Sequence, residues 1–135
     1  MKRLVPMIWC LAGGLAWGQV DMKQLMLDLI HPASNAILLR VFRGGPKDEK
    51  EWAEVRHNAL TLAESGTLLA TRGPAVTDWM KAAKLLADAG AAAYNAAQAK
   101  DAKALTAAAE SIDQSCTTCH KQFRPNVFPR EGGSK

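Results

Sequence analysis

A pair of cysteines followed directly by a histidine lies near the C-terminus, in the run Cys116-Thr117-Thr118-Cys119-His120. Cys-x-x-Cys-His is the pattern to which a c-type haem is attached. Each thiol adds across a haem vinyl group to form a thioether, and the imidazole becomes the proximal iron ligand. Residues three and four apart share one side of a helix, so both thiols and the imidazole can face one porphyrin. The pattern predicts one covalent haem c and a fold that encloses it.

Two other uses of a Cys-x-x-Cys pair fit the sequence less well. A zinc site needs four ligands, and only the distant His31 or His57 could add the fourth to Cys116, Cys119 and His120. A thioredoxin-like dithiol stands at the start of a helix in a strand-helix context, which the sequence does not show. Haem attachment is the preferred interpretation.

The first eighteen residues have the pattern of a secretory signal peptide. Lys2 and Arg3 precede a largely apolar run from 4 to 15, and small residues stand at positions 16 and 18. The run is too short to span a bilayer as a helix, and we expect no later membrane span. We therefore expect cleavage after residue 18 and export to the periplasm.

The mature chain is then a single domain over residues 19–135. Cleavage removes Cys10, which leaves only the two cysteines of the haem pattern and no pair for a disulfide. It also removes two of the basic residues behind the formal net charge of +4, so the mature chain is only weakly basic. No basic stripe interleaved with aromatic residues is present, so we expect no nucleic-acid partner.

The rest of the sequence predicts helices. Gly44-Gly45-Pro46, the Gly73-Pro74 step and a short polar stretch at 100–101 divide it into four segments of similar length. The segments are approximately 21–43, 48–71, 75–99 and 102–124. Each has an apolar stripe with steps of three and four, and short connections make neighbouring helices antiparallel. The predicted fold class is all-α, an antiparallel up-down-up-down four-helix bundle that encloses the haem.

The apolar stripe of each segment predicts its buried face. In the second segment the stripe is Trp52, Val55, Ala59, Leu62, Gly66 and Leu69, and in the third it is Trp79, Ala83, Leu86, Gly90, Ala93 and Ala97. In the fourth it is Leu105, Ala109, Ile112, Cys116, Cys119 and Phe123. Because the last stripe includes both cysteines, we expect the haem inside the bundle.

The region after the haem pattern resembles a known family. In class II c-type cytochromes, which comprise cytochrome c′ and the cytochrome c-556 group, the pattern is followed by two variable residues, an aromatic residue and an arginine. Lys121-Gln122-Phe123-Arg124 has this form. The resemblance covers about 20–124, although only the last nine residues are specific. It implies that Arg124 shields the iron–histidine environment or contacts a haem propionate.

The same resemblance implies that the first helix covers the opposite face of the haem. A methionine ligand there gives a low-spin electron carrier, and a residue that does not bind iron leaves an open site for NO or CO. Met26 is the proposed distal ligand, with Met22 and His31 as the other candidates. Simple core packing of both methionines is the alternative.

His31 stands directly before Pro32, which disfavours helical geometry at the preceding residue. We therefore expect the first helix to be kinked or interrupted here, with His31 in a polar role at the kink. Because it lies five residues from Met26, His31 should point to a different side of an undistorted helix. Its ligation would give a bis-histidine haem of lower potential.

These features predict a periplasmic monohaem cytochrome that carries single electrons between redox partner proteins. No substrate pocket or acid/base pair is apparent, so the chain is not expected to be an enzyme. One alternative is a cytochrome c′-like protein with an open or displaceable distal site for NO or CO. The other is a haem subunit of a membrane redox complex. The sequence leaves open whether two copies pair as a homodimer.

Overall fold

A computed structural model describes residues 21–126, and this part of the chain contains four helices and no strand. The helices are α1 (Met22–Phe42), α2 (Glu49–Arg72), α3 (Thr77–Gln98) and α4 (Ala102–Phe123). The all-α class and the four predicted segments are confirmed. The predicted signal peptide, residues 1–18, lies outside the described residues.

Three of the four helices begin at an aspartate. The carboxylates of Asp21, Asp48 and Asp101 each accept a hydrogen bond from the backbone N–H three residues later, at 2.7, 2.8 and 2.9 Å. A side-chain acceptor at this position satisfies a backbone donor that the helix leaves unpaired. α3 follows Val76 instead, whose side chain makes no capping hydrogen bond. Because no side chain caps the first turn of α3, packing is left to stabilise it.

The interruption predicted before Pro32 is a π-helical segment, Met26–Ile30, within the otherwise α-helical α1. A proline ring has no N–H and clashes with the carbonyl four residues earlier, and a wider turn accommodates it. The backbone N–H of His31 accordingly donates to the carbonyl of Met26, five residues before it. The chain continues as one helix, and the expected interruption takes the form of this π-helical segment.

α1 is also long and apolar enough to cross a membrane. Its 21 residues reach a mean hydropathy of 1.3 over an eighteen-residue window. This differs from the expectation that no such segment follows residue 18. A signal sequence or a core helix of a soluble protein has the same length and composition, and α1 places Leu25, Ile30, Ala33 and Ile37 in the core.

The core lies along the predicted stripes. All six stripe residues of α2 and all six of α3 are buried. In α4 the first three, Leu105, Ala109 and Ile112, are buried, but Cys116, Cys119 and Phe123 are only half-buried. The stripe itself is confirmed, while the end of α4 that carries the cysteines lies at the edge of the core.

α2 and α3 pack with their backbones in close approach. A Cβ atom at Gly66 would lie 2.5 Å from the backbone nitrogen of Ala87, and one at Gly90 would lie 2.5 Å from that of Ala63. No side chain fits in either space, so glycine sets the spacing of this helix pair.

The helices form a bundle-like assembly in which α2 packs on α3 and α3 packs on α4. α1 behaves differently along its length. Its second half, from His31 to Phe42, packs against both α2 and α4. Its first half, residues 22–30, packs against α2, and within the described chain none of its Cα atoms comes within 8 Å of one in α4. α1 and α4 therefore separate towards the N-terminus of α1.

Candidate functional site

Cys116, Cys119 and His120 lie in the last two turns of α4, and all three are half-buried. Both cysteines are free thiols and pack against the hydrophobic core from its edge. Cys119 and His120 follow Cys116 by three and four residues, so the helix brings the three side chains to neighbouring positions. The three predicted attachment residues therefore share one end of one helix.

The two thiols are held in their neutral form. Burial raises the pKa of Cys116 and of Cys119 above the ordinary value of 9.0, and the nearby Cys116 raises that of Cys119 further. The negative end of the α4 dipole also disfavours a thiolate at the C-terminus of a helix. Reactive dithiols have the opposite features, a lowered pKa and a place at a helix N-terminus. The pair does not have the environment of a thioredoxin-like site.

The imidazole of His120 is suited to bind a metal. Burial lowers its pKa below the ordinary value of 6.5, and the positive charge of Arg124 lowers it further. The ring is therefore neutral at pH 7. A neutral imidazole keeps a lone pair on one nitrogen, which is the form that ligates iron.

Arg124 follows α4 directly and is exposed. Its backbone N–H donates to the carbonyl of His120 at 2.9 Å. Its guanidinium acts on the imidazole of His120 through charge. Both expected roles of Arg124, shielding the iron–histidine environment and contacting a propionate, stay predictions.

The side of α4 on which these groups lie follows from helix geometry. A groove of about 300 Å³ separates α3 from α4 and is lined by Ser111, Gln114, Ser115 and Thr118 of α4. With about 100° of rotation per residue, His120 falls on the other side of the core stripe from this groove.

The candidate distal residues lie on the first half of α1. Met22 and Met26 are half-buried and pack against the core, whereas His31 is exposed. This half of α1 does not come close to α4. The half of α1 that carries the methionines therefore has no Cα atom within 8 Å of one in α4, and iron ligation by Met26 stays a prediction.

An aromatic contact beside the cysteines was not predicted. The ring of Trp79, at the start of α3, meets the ring of Phe123 edge-on, with 5.1 Å between centroids and 76° between planes. Both residues were assigned to apolar stripes, but their pairing was missed. The sequence carried one signal for this pairing. Short connections between neighbouring helices place the start of α3 and the end of α4 at the same end of the molecule.

The donor set fits a haem better than a bare metal ion. Two cysteines and a neutral imidazole are the residues that two thioethers and a proximal iron ligand require. Among the described residues no three histidine, cysteine or acidic side chains form a cluster that could hold a metal ion by itself. A tetrahedral zinc site is therefore not assembled by this part of the chain.

Comparison with known proteins adds no relative. No protein-family model, no curated protein and no solved structure gives a significant match to the chain. The resemblance to class II cytochromes consequently rests on the haem pattern, the residues that follow it and the four helices.

Proposed function

We propose that this protein is a monohaem c-type cytochrome of the class II type that carries single electrons in the periplasm. Cys116 and Cys119 form the thioethers to haem c, and His120 is the proximal iron ligand. The haem, when bound, supplies a reversible one-electron couple. The chain holds it, keeps His120 neutral for ligation and shields the iron–histidine bond from water.

One observation carries this proposal: Cys116, Cys119 and His120 lie together at the edge of the core, on a helix whose Cα atoms the first half of α1 does not approach within 8 Å. The proposed place for a flat, largely apolar group is between α4 and the half of α1 that does not approach it closely. Thiols and an imidazole at the edge of that space are the residues that would fix such a group covalently.

The proposed topology is an antiparallel up-down-up-down four-helix bundle. Three contacts between chain segments support it. Arg40 near the end of α1 pairs with Glu51 at the start of α2. Trp79 at the start of α3 donates to the carbonyl of Leu69 near the end of α2, and it also contacts Phe123 at the end of α4. Each contact joins the end of one helix to the start of another, or the reverse.

The test of the cofactor is production of the full chain in a periplasm that attaches haem to Cys-x-x-Cys-His patterns. We expect a mass increase of one haem and thioether-type absorption. The double variant Cys116→Ser/Cys119→Ser should lose the covalent haem, and Ser115→Ala is the matched control that should keep it. Absence of haem on the wild-type chain would refute the proposal.

Met26 is the proposed distal ligand, with Met22 and His31 as the other candidates. The half-burial of both methionines on the half of α1 nearest the separation supports a ligand from this region. Met26→Ala should convert a low-spin ferric spectrum to a high-spin one. Met22→Ala and Met80→Ala, the latter at an exposed methionine of α3, are the controls and should leave it low-spin.

A second function is favoured by the separation itself. If no side chain of α1 reaches the iron, the distal position is open and binds NO or CO. Absorption spectra of the ferric and ferrous protein, with and without CO, decide between the two. A low-spin spectrum that CO does not change supports the electron carrier, and a high-spin spectrum with rapid CO binding supports the gas-binding protein.

A further inference from the structure

We propose that Trp79 is the residue that positions the proximal histidine, because its indole fixes the last turn of α4 against the end of α2. This inference rests on the proposed function, since it concerns the orientation of His120 toward a bound haem. It goes beyond that function in assigning a role to a residue outside the attachment pattern. Three contacts of one buried side chain carry it.

The first contact joins Trp79 to α2. Its indole Nε1 donates to the carbonyl of Leu69 at 2.7 Å in a buried environment. The same carbonyl accepts the backbone N–H of Gly73 at 3.1 Å, which is the last hydrogen bond of α2. The indole is thus tied to the helix end, where a carbonyl has capacity to accept a second donor.

The second contact holds the indole in place. A Cβ atom at Gly73 would lie 1.9 Å from Nε1 of Trp79, so the connection between α2 and α3 passes directly over the ring. Only a residue without a side chain allows this approach. The indole therefore has one position, set by the connection on one face and by its hydrogen bond at the edge.

The third contact joins the indole to α4. The edge-on contact with Phe123 links Trp79 to the final residue of the helix. Phe123 is three residues after His120 and four after Cys119, so it lies on the same side of the helix as both. Fixing Phe123 fixes the turn from which the imidazole projects.

The last turn of α4 ends at Phe123. It lies at a helix end, where backbone hydrogen bonds fray most readily. A side-chain contact between Gln122 and Asp78 also links this turn to α3, but it is exposed and, at 3.4 Å, long for a hydrogen bond. The Trp79–Phe123 ring contact packs the same turn against the start of α3.

The test compares two tryptophans of equal burial in the haem-loaded full chain. Trp79 and Trp52 are each 8% exposed, but Trp52 lies in the first turn of α2, near the opposite end of the helix. We would measure thermal stability, reduction potential and the ferric electron paramagnetic resonance spectrum for Trp79→Ala, Trp52→Ala and Phe123→Ala.

We expect both tryptophan variants to lose stability, but only Trp79→Ala and Phe123→Ala to shift the potential and the resonance spectrum. A merely structural role would give Trp52→Ala the same shift, and that result would overturn the proposal. So would an unchanged potential in Trp79→Ala. If Trp79→Ala does not fold, Trp79→Phe and Phe123→Leu provide the same comparison, with Trp52→Phe as the control.

The same variants separate failure of this inference from failure of the proposed function. If the wild-type chain carries no haem, the proposed function fails, and amide hydrogen exchange of residues 119–123 in the haem-free chain still tests the contact. Trp79→Ala should speed this exchange about tenfold beyond any global change, and Trp52→Ala should not. Equal exchange in the two variants would overturn the positioning role.

Discussion

Charged side chains join the helices at one end of the molecule, whereas aromatic rings join them at the other. At the ion-paired end, Arg40 of α1 pairs with Glu51 and Glu54 of α2, and Lys100 before α4 pairs with Glu49. At the cysteine end, defined by Leu69, Trp79, Cys119 and Phe123, the indole of Trp79 contacts both α2 and α4. α1 meets α4 only in its second half, which leads to the ion-paired end.

The ion pairs and the aromatic contacts contribute to the fold in different ways. Partly exposed ion pairs contribute little stability, but they set which helix ends meet. The buried ring of Trp79 and the half-buried ring of Phe123 contribute more, and they join α2, α3 and α4 where α1 does not approach α4 closely. At the cysteine end, the contacts of Trp79 thus join three helices, whereas the fourth does not approach α4 closely there. We propose that a bound haem supplies contacts between α1 and α4 at this end.

Replacing a buried side chain by alanine in each half of α1 should give the largest losses of stability. Ile37 and Leu25 are both fully buried, but Ile37 belongs to the half that packs on α2 and α4, and Leu25 to the half that packs on α2. We expect Ile37→Ala to lower the free energy of unfolding of the haem-free chain by about 4 kcal/mol and Leu25→Ala by about 2 kcal/mol. The less enclosed half can relax around the lost atoms. Denaturant unfolding measures both values.

The same two variants, measured in the haem-loaded chain, test the comparison between Leu25→Ala and Ile37→Ala further. With haem bound, the first half of α1 gains a neighbour, so the cost of Leu25→Ala should approach that of Ile37→Ala. A Leu25→Ala cost that equals the Ile37→Ala cost in the haem-free chain would show that α1 is packed uniformly, and the contrast between the two ends would fail.

Alkaline pH should act on the cysteine end. Because burial raises the folded-state pKa of both thiols above 9.0, the folded chain binds more protons than the unfolded chain as pH rises past that value. The stability of the haem-free chain should therefore be full below pH 9.0 and fall above it. Unfolding at increasing pH measures the effect.

The matched comparison is the haem-loaded chain, whose thioethers do not titrate, and the variant Cys116→Ala/Cys119→Ala. Both should lose this alkaline component. If the double variant shows the same decline as the wild type, the thiols are not the groups responsible, and their half-buried environment has no effect on folding.

The features that sequence predicted are those that local pattern determines. Helix boundaries follow the glycine and proline breaks, and the buried stripes of α2 and α3 follow a spacing of three and four residues. The interruption of α1 was signalled by Pro32, because a proline affects its own turn. Its form, a π segment, depends on how the neighbouring turns adjust.

The features that sequence did not predict depend on residues far apart in the chain. The half-burial of Cys119 and the pairing of Trp79 with Phe123 require the ends of α3 and α4 to be placed first. How closely α1 approaches α4 depends on the relative placement of two helices that begin some eighty residues apart in the sequence. Periodicity shows which face of each helix is buried, but it does not show how completely a partner covers that face.

A smaller effect is expected at the ion-paired end. Arg40→Met keeps an apolar stem but leaves Glu51 and Glu54 without their shared cation, and we expect a loss of about 1 kcal/mol. Lys84→Met is the control, because Lys84 pairs with Asp88 in an exposed contact within α3. It should cost about 0.3 kcal/mol. Equal costs would mean that Arg40 does not help to join α1 to α2.

The smallest expected effect is the acid response of Glu49. Lys100 at 2.5 Å and Arg56 at 2.9 Å hold the pKa of this carboxylate below 4.5 through hydrogen bonds and charge. A lowered folded-state pKa means that the stabilisation is present above pH 4.5 and is lost as pH falls below it. Glu49→Gln should therefore reduce the loss of stability on acidification, measured as the shift in denaturant midpoint between neutral pH and about pH 3.

Glu64→Gln, at an exposed carboxylate further along α2, is the control and should leave the acid response unchanged. Because Glu49 is exposed, high salt should also remove its contribution, whereas salt should not alter the alkaline decline that the half-buried thiols cause. The two ends would then be distinguished by opposite pH windows and by salt. A Glu49 response that salt leaves intact would contradict an origin in exposed ion pairs, and the contrast between a charged end and an apolar end would no longer hold.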